Sequence, residues 1–427
     1  MKPVQSKFFA FITAVMIGSV LLAACAPALA SGSILEPTQA PPSPTPMPMA
    51  SATPMPAPTE STPKIDPLVF QQAVRKLWED HITWTRVYII AAVAGLPEAD
   101  TAAQRLLQNQ VDIGNAIKPF YGDEAGNQLT SLLKAHILTA ADLVAAAKSG
   151  DNAKLQAASK SWYDNANQIA SFLSTANPGS WPLSDMQSMM KSHLDLTLEE
   201  ATARLKGDWA GDVAAYDKVH NEILDMADML AAGIIKQFPG KFAPQQASPQ
   251  KVELTLAMNK LWEDHVTSTR VYIISVTSGL PDADAAAQRL LQNQADIGNA
   301  IKPLYGDEAG NQLTALLRDH ILTAADLLTA AKSGDKVKLQ AASQHWYDNA
   351  NQIAGFLNKA NPNQWPLGDM QSMMKSHLDL TLEEATARLK GDWPGDVAAY
   401  DKVHAEILGM AGMLTEGIVA QFPDKFK

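Results

Sequence analysis

The histidines are the residues of this chain whose type and spacing could do chemistry. Eight of the nine form four matched pairs, and the two members of every pair are separated by the same interval. The pairs are His81 with His265, His136 with His320, His193 with His377, and His220 with His404. Neutral imidazole binds zinc, iron and copper, so a transition metal is the cofactor that this pattern suggests, with its identity open.

Helical spacing places these imidazoles on apolar stripes. His81 is in register with Leu77 and Tyr88, and His220 is in register with Val213. A polar side chain that faces a core needs a hydrogen-bond partner or another ligand. Two interpretations follow. The histidines either form buried hydrogen bonds that fix the register of the helices and bind nothing, or they form a metal site with ligands from several helices.

Aspartates extend the candidate ligand set, because an Asp-x-x-His spacing puts both side chains on one helix face. The candidate metal ligands are His81, His136, His193, His220 and Asp217 in the first half of the chain, and His265, His320, His377, His404 and Asp401 in the second half. Further carboxylates that could complete a site are Glu79, Asp80 and Asp112. A ferritin-like di-iron centre is not expected, because those bundles use two Glu-x-x-His motifs and two more glutamates.

Methionines also occur near one histidine. Met186, Met189 and Met190 precede His193 at helical spacing. Thioethers are soft ligands that suit cuprous copper, although methionines at this spacing more often fill a core. Haem attachment through Cys-x-x-Cys-His is excluded, because the motif is missing from the sequence.

No set of residues predicts catalysis. The sequence has no Gly-x-Ser-x-Gly, phosphate-binding loop, dinucleotide fingerprint or His-Glu-x-x-His motif. The adjacent Glu199 and Glu200 are typical of a solvated first helical turn. We therefore predict no catalytic residues and consider an enzyme less expected than a binding protein. The net charge of −11 argues against nucleic acid and against direct binding to an anionic bilayer.

The N-terminal residues predict export. Lys2 and Lys7 precede an apolar stretch, and Leu-Ala-Ala-Cys then ends at Cys25, as in the lipobox of bacterial lipoproteins. We predict a signal peptide at 1–24, lipidation of Cys25, and a location on the extracytoplasmic face of the cell membrane. The alternative is cleavage after Ala30, which would give a secreted protein. A lipid anchor would be the contact with the membrane.

The rest of the chain divides into a tether and two repeats. Residues 25–64 are rich in Pro, Thr and Ser and predict an extended tether. The motif LWEDH at 77–81 recurs at 261–265, and the match continues without insertion. We assign helical repeat 1 to 65–240, a linker to 241–252, and helical repeat 2 to 253–427.

Each repeat reads as all-α, because its apolar residues recur three and four positions apart. Short connections between long amphipathic helices favour two tandem antiparallel bundles, each with about four long helices and shorter ones. Pro119 and Gly122 predict a break between the second and third helices. A shorter helix is predicted from Leu183 to Leu194, followed by a capping box at Thr197 and Glu200.

Four motifs resemble a family of exported bacterial proteins. They are LWEDHITWTR at 77–86, NAIKP at 115–119, WYDN at 162–165 and QFP at 237–239. The family consists mostly of single-copy all-helical domains without an established activity. The resemblance implies export and the domain boundaries, and it supplies no catalytic residues.

These observations predict a membrane-anchored binding module that takes a metal ion or small ligand in polar, histidine-containing bundle cores. The alternative is a structural or interaction protein of the cell envelope that binds an envelope protein and has no ligand chemistry.

Overall fold

A computed structural model of the chain describes residues 63–427. The predicted signal peptide, Cys25 and the tether as far as residue 62 lie outside the described residues. Both repeats belong to one unit, Lys64–Lys427.

Ten α-helices follow one another in this unit, and the all-α prediction is confirmed. Repeat 1 holds α1 (Pro67–Ala94), α2 (Ala99–Ser149), α3 (Asn152–Ala176), α4 (Leu183–Lys206) and α5 (Trp209–Gln237). Repeat 2 holds α6 (Pro249–Ser278), α7 (Ala283–Ser333), α8 (Lys336–Ala360), α9 (Leu367–Leu389) and α10 (Trp393–Gln421). Single 3-10 turns follow α5 and α10, at Pro239–Lys241 and Pro423–Lys425.

Local signals account for most helix ends. Asp66 caps α1 by accepting hydrogen bonds from the backbone N–H groups of Leu68 and Val69, and Pro67 occupies the first helical position. The helix ends at Gly95, whose φ of 72° lies in the left-handed region that glycine tolerates. Asp151 caps α3 in the same way as Asp66 caps α1.

Helix α2 is a hairpin of two arms, 99–121 and 123–149, that separate at Gly122. The backbone of Gly122 is non-helical, with φ 87° and ψ 168°. A Cβ added to Gly114 would lie 2.6 Å from the carbonyl oxygen of Gly126. These two glycines would be about 18 Å apart along a straight helix, so the arms fold back on each other. The predicted break is confirmed at Gly122, whereas Pro119 lies inside the first arm. Gly306 repeats the break in α7.

Each repeat closes into a bundle of six helical segments. In repeat 1, α1 packs against α2 and α5, α3 packs against α2 and α4, and α4 packs against α5. Repeat 2 has the same neighbours. The core of each bundle is lined with tryptophan and aliphatic side chains, among them Trp162 and Ile223.

The predicted end of α4, the helix that begins at Leu183, is wrong. Helix α4 continues to Lys206, and Thr197 lies inside it with its hydroxyl donating to the carbonyl of His193. Glu200 is buried at 2% exposure, 2.8 Å from Arg86, so it belongs neither to a capping box nor to a solvated turn. Arg86 on α1 compensates its charge, and this distant partner is what the local pattern could not reveal.

The second repeat begins without a break in packing. Within the segment 241–252 that we assigned to the linker, α6 begins at Pro249, capped by Ser248. The two repeats share an interface in which α1 packs against α6, α5 against α7 and α10 against α2. Trp84 from repeat 1 is completely buried within the core of repeat 2.

Two described helices, Ala99–Ser149 and Trp393–Gln421, are long and apolar enough to cross a membrane by length and composition alone. About half of each apolar stretch, 44% and 50% respectively, is buried inside the bundles. The first folds back at Gly122, and the second carries the buried polar residues Asp396 and His404. Both therefore pack as core helices of the bundles.

Candidate metal centre

Three of the four paired histidines in each repeat come together in the bundle core. In repeat 1, His81 on α1, His136 on the second arm of α2 and His193 on α4 form what we call the first triad. Their ring centroids are 5.6 to 6.4 Å apart, and each residue is buried. The second triad consists of His265, His320 and His377, with ring centroids 5.6 to 6.5 Å apart.

Each triad ring is held at Nδ1 by a residue from one of the three remaining helical segments. Gln110 Nε2 lies 3.3 Å from Nδ1 of His81, and Asn165 Oδ1 lies 3.1 Å from Nδ1 of His136. Glu222 Oε2 lies 2.9 Å from Nδ1 of His193. The corresponding partners of the second triad are Gln294, Asn349 and Glu406. His136 and His193 donate Nδ1–H to an acceptor oxygen, which leaves Nε2 for a metal ion. The amide nitrogen of Gln110 instead donates to Nδ1 of His81, so this neutral ring carries its proton on Nε2.

Tryptophans fix two rings of the first triad. Trp162 stacks on His136 with centroids 5.5 Å apart and planes 30° apart, and Trp78 meets His81 edge-on at 5.7 Å. The aromatic surfaces limit rotation of the imidazoles and keep water away from them. Trp346 and Trp262 have these positions in repeat 2.

Burial lowers the pKa of two imidazoles in each triad. Desolvation, followed by repulsion from His193, lowers the pKa of His136 to about 3. Desolvation and the neighbouring His193 and His136 hold the pKa of His81 well below its usual value. The pKa values of His320 and His265 are lowered in the same way, to about 3 for His320. Neutral imidazole is the form that coordinates a metal ion.

A cavity of about 40 Å³ adjoins the second triad. Its lining includes all three histidines of that triad, Trp262 and Met374. A single water molecule needs roughly 10 to 15 Å³ on the same measure, so the cavity has room for an ion with at most a few small ligands. Organic ligands occupy pockets of roughly 300 to 1,000 Å³, which is far larger.

The triads are wider than a closed metal site. Among residues 63–427, no group of three or more His, Cys, Asp or Glu side chains has the arrangement of a formed metal site. Three imidazoles that share one ion have ring centroids about 5 Å apart, since each metal–nitrogen bond is about 2.0 to 2.1 Å. Closure on an ion therefore requires the ring centroids to approach each other by about 0.6 to 1.5 Å.

His220 and His404 do not join the triads, contrary to their place in the predicted ligand set. His220 lies between Asp264, 2.9 Å from its Nδ1, and Glu79, 3.0 Å from its Nε2. In repeat 2, His404 lies 2.5 Å from Glu263 through Nε2. Its Nδ1 is 3.0 Å from Asp80 without hydrogen-bond alignment. Carboxylates thus flank both nitrogens of each imidazole, and one of the two comes from the other repeat.

These charges perturb one another. Burial opposes protonation of His220, but the charge of Asp264 and its hydrogen bond outweigh burial and raise the pKa of His220. Burial likewise opposes ionisation of Asp264, but the charge and hydrogen bond of His220, together with the charges of Lys260 and Arg289, outweigh burial and hold the pKa of Asp264 below its usual range. Each of these histidines forms, with its two carboxylates, a buried polar junction between the repeats.

Asp217 and Asp401 are also separate from the triads. Asp217 pairs with Arg289 at 2.8 Å, and Asp401 pairs with Arg105 at 2.9 Å, each across the interface between repeats. The arginine that pairs with each aspartate belongs to the other repeat. The Asp-x-x-His spacing alone could therefore not indicate that the aspartate points across the interface and not towards the triad.

The methionines near His193 lie in or beside the bundle core. Met186 and Met190 are buried, and Met189 packs at the edge of the core. In repeat 2, Met374, the counterpart of Met190, lines the triad cavity together with Met258 and Met410.

Sequence reasoning missed Gln110 and Glu222 as partners of the histidines. Asn165 was visible as a polar residue on an apolar stripe, but its partner was not. One signal could have found all three, because each partner follows its histidine by 29 residues. A constant offset of this size places each pair at one level of two consecutive helical segments that pack together. These are α1 with the first arm of α2, the second arm of α2 with α3, and α4 with α5.

Comparison with protein-family models, curated proteins and solved structures gives no match to this chain. The resemblance drawn from the four motifs stays a prediction, and no residue of the triads depends on it.

Proposed function

We propose that each repeat binds one transition metal ion at its histidine triad, and that the chain is an exported metal-binding module. The observation that carries this proposal is how the six helical segments contribute to the triad. Three contribute an imidazole, and the other three contribute the group that holds its Nδ1. Metal-binding histidines donate their outer N–H to an acceptor that fixes the ring and its tautomer, as His136 and His193 do. Coordination by Nε2 of His81 would require the Gln110 amide to turn so that its Oε1, which has no hydrogen-bond partner, accepts from Nδ1.

The same molecule offers a contrast with a purely structural histidine. His220 has a carboxylate at each ring nitrogen, as expected for a buried imidazole that serves only to hold helices together. The triad rings have one partner each among the described residues and face two other imidazoles that repel a shared proton. A network selected only for stability gains little from three imidazoles placed together, whereas a metal ion would use the ring nitrogens that face each other.

The cavity size favours an ion over a small organic ligand. A volume of about 40 Å³ beside the second triad accommodates an ion and excludes drug-sized molecules.

The test is metal analysis of the mature protein, exported by its own signal and purified without an affinity tag. We expect two ions per chain in the wild type, one in His136→Gln or His320→Gln, and none in the double variant. The matched control is His345→Gln, which removes an exposed histidine that has no counterpart in repeat 1. Folded wild-type protein that takes up no zinc, copper, iron or nickel would refute the proposal, as would unchanged stoichiometry in the double variant.

We further propose that the module is anchored to the extracytoplasmic face of the membrane through a lipid on Cys25. Two acyl chains suffice for stable anchoring, and the acidic chain has no need of direct contact with the bilayer. Mass spectrometry of the mature N-terminus distinguishes a diacylglyceryl Cys25 from a free Ser31. The second result would make the protein secreted.

A further inference from the structure

We propose that the triads select cuprous copper over divalent metal ions, an inference that rests on the proposed function. Three features of the site support it: the charge around the triad, the other side chains of the cavity, and the exclusion of water.

The charge around each triad matches a monovalent ion. An imidazole that binds a metal ion is neutral, and the carboxylate hydrogen-bonded to the first triad is Glu222, through Nδ1 of His193. A cuprous ion and this one carboxylate give zero net charge. A divalent ion leaves one positive charge uncompensated in a buried site, which is costly in a medium of low dielectric constant.

The remaining lining of the second cavity is soft and apolar. Met258, Met374 and Met410 contribute thioether groups, and most other lining residues are aliphatic or aromatic. Thioethers and imidazoles are ligands that cuprous copper accepts, whereas divalent zinc prefers thiolate, imidazole and carboxylate.

The exclusion of water from the triads also favours cuprous copper over divalent metal ions. A zinc ion with three histidine ligands completes its tetrahedron with water, and cupric, manganese and magnesium ions require more ligands still. The triad histidines are only 3 to 4% exposed. Cuprous copper is stable with three or four soft ligands and needs no water.

The repeats differ at one position of this lining. Repeat 1 has Val74 where repeat 2 has Met258, while Met190 and Met226 match Met374 and Met410. The second triad therefore has one more thioether within its cavity than the corresponding residues of repeat 1 supply. We expect it to bind cuprous copper more tightly than the first triad does.

The test is anaerobic competition of the mature full-length chain against bicinchoninate for Cu(I), with a parallel titration of Zn²⁺. We expect two Cu(I) per chain, with an affinity at least a hundredfold above that for Zn²⁺. Met374→Leu, which conserves volume, should weaken Cu(I) binding at the second triad at least tenfold and leave Zn²⁺ binding unchanged. Met258→Val should make the two sites alike, and Val74→Met should tighten the first.

The outcomes separate the two proposals. Zn²⁺ bound at two per chain as tightly as Cu(I) would overturn the selectivity and leave the metal site standing. Equal Cu(I) affinity in the wild type and in a folded Met374→Leu, Met190→Leu double variant would also overturn the thioether contribution. If neither ion binds, the proposed function fails as well. X-ray absorption of the loaded protein adds a direct readout, because a thioether ligand produces a sulfur scattering shell.

Discussion

Neutral histidines in the triads make the stability of the metal-free protein depend on pH. The lowered pKa of His136, about 3, means that the folded chain does not take up the proton that the unfolded chain accepts near pH 6.5. Stability is therefore fully present above about pH 6.5 and is lost as the pH falls from there towards the folded value. The same holds for His81, His265 and His320.

We predict a slope for this loss. Each such histidine contributes up to about 1.4 kcal/mol per pH unit below its unfolded pKa. Urea unfolding at pH 7.5, 6 and 5 should give a shallower decline for the His136→Gln, His320→Gln double variant than for the wild type. His345→Gln should decline as the wild type does. Equal slopes in all three proteins would contradict the assignment of uncharged triads.

Trp84 is the largest side chain by which the repeats differ at their interface. It is completely buried, 5.6 Å from the ring of Tyr400, and the guanidinium of Arg270 lies 4.8 Å from its ring. Its counterpart in repeat 2 is Ser268. We predict that Trp84→Ser lowers the free energy of unfolding by about 3 to 5 kcal/mol. Ser268→Ala should change it by less than about 1 kcal/mol, and a similar small effect at Trp84 would show that the interface can repack.

At the scale of elements, the crossing of the two arms of α2 positions the triads. Gly114 and Gly126 let the arms approach so closely that Gln110 on one arm and His136 on the other both reach the core. A Cβ on Gly114 would lie 1.9 Å from the hydroxyl of Thr130 and 2.6 Å from the backbone of Gly126. Since the second contact is with backbone, rotation of a side chain cannot relieve it.

We therefore predict that Gly114→Ala destabilises the protein by about 1 to 3 kcal/mol and lowers metal uptake at the first triad. The matched control is Gly355→Ala, also within a helix, where nothing lies within 4 Å of the added Cβ. That substitution should stabilise by about 0.5 to 1 kcal/mol, because alanine favours the helix. Chemical denaturation of both variants measures whether the free energy of unfolding falls for Gly114→Ala and rises for Gly355→Ala.

Much of the helical structure could be predicted from the sequence. The features that could not be predicted depend on residues far away in the chain. The break at Gly122 and the caps at Asp66 and Asp151 depend on residues next to them in the chain. The burial of Glu200 depends on Arg86, 114 residues away. The helical stripes indicated that the histidines face inward. Which of them meet depends on bundle order, and the two-sided pairing of His220 depends on the other repeat.

At the scale of the whole molecule, reciprocal ion pairs join the repeats. Arg204 lies 2.8 Å from Asp282, and Arg388 pairs with Glu98 at the equivalent place. Both pairs are almost completely buried. Removal of one partner from a buried pair costs about 3 to 5 kcal/mol, because the other charge is left without compensation.

We predict that the repeats stay together after the chain between them is cut. A protease site inserted between Gln245 and Gln246 of the full chain, cleaved after folding, should leave one species in size-exclusion chromatography. Arg204→Leu combined with Arg388→Leu should make the halves separate on cleavage. Lys160→Ala removes an exposed pair with Asp164 and should not. Separation of the cleaved wild type would show that the linker is what holds the repeats together.

The exchange of carboxylates between repeats makes the duplication difficult to reverse. Residues 185–209 and 369–393 are identical, and such stretches in a gene invite recombination that deletes one copy. The shortened protein would lose His220 and Asp264 and keep His404, with Glu79 in the place of Glu263 and no carboxylate from another repeat. Such a protein could restore the missing carboxylate only by pairing with a second molecule of itself, through Asp80. The tandem chain carries that pairing within one polypeptide, so the pairing does not depend on the concentration of the protein.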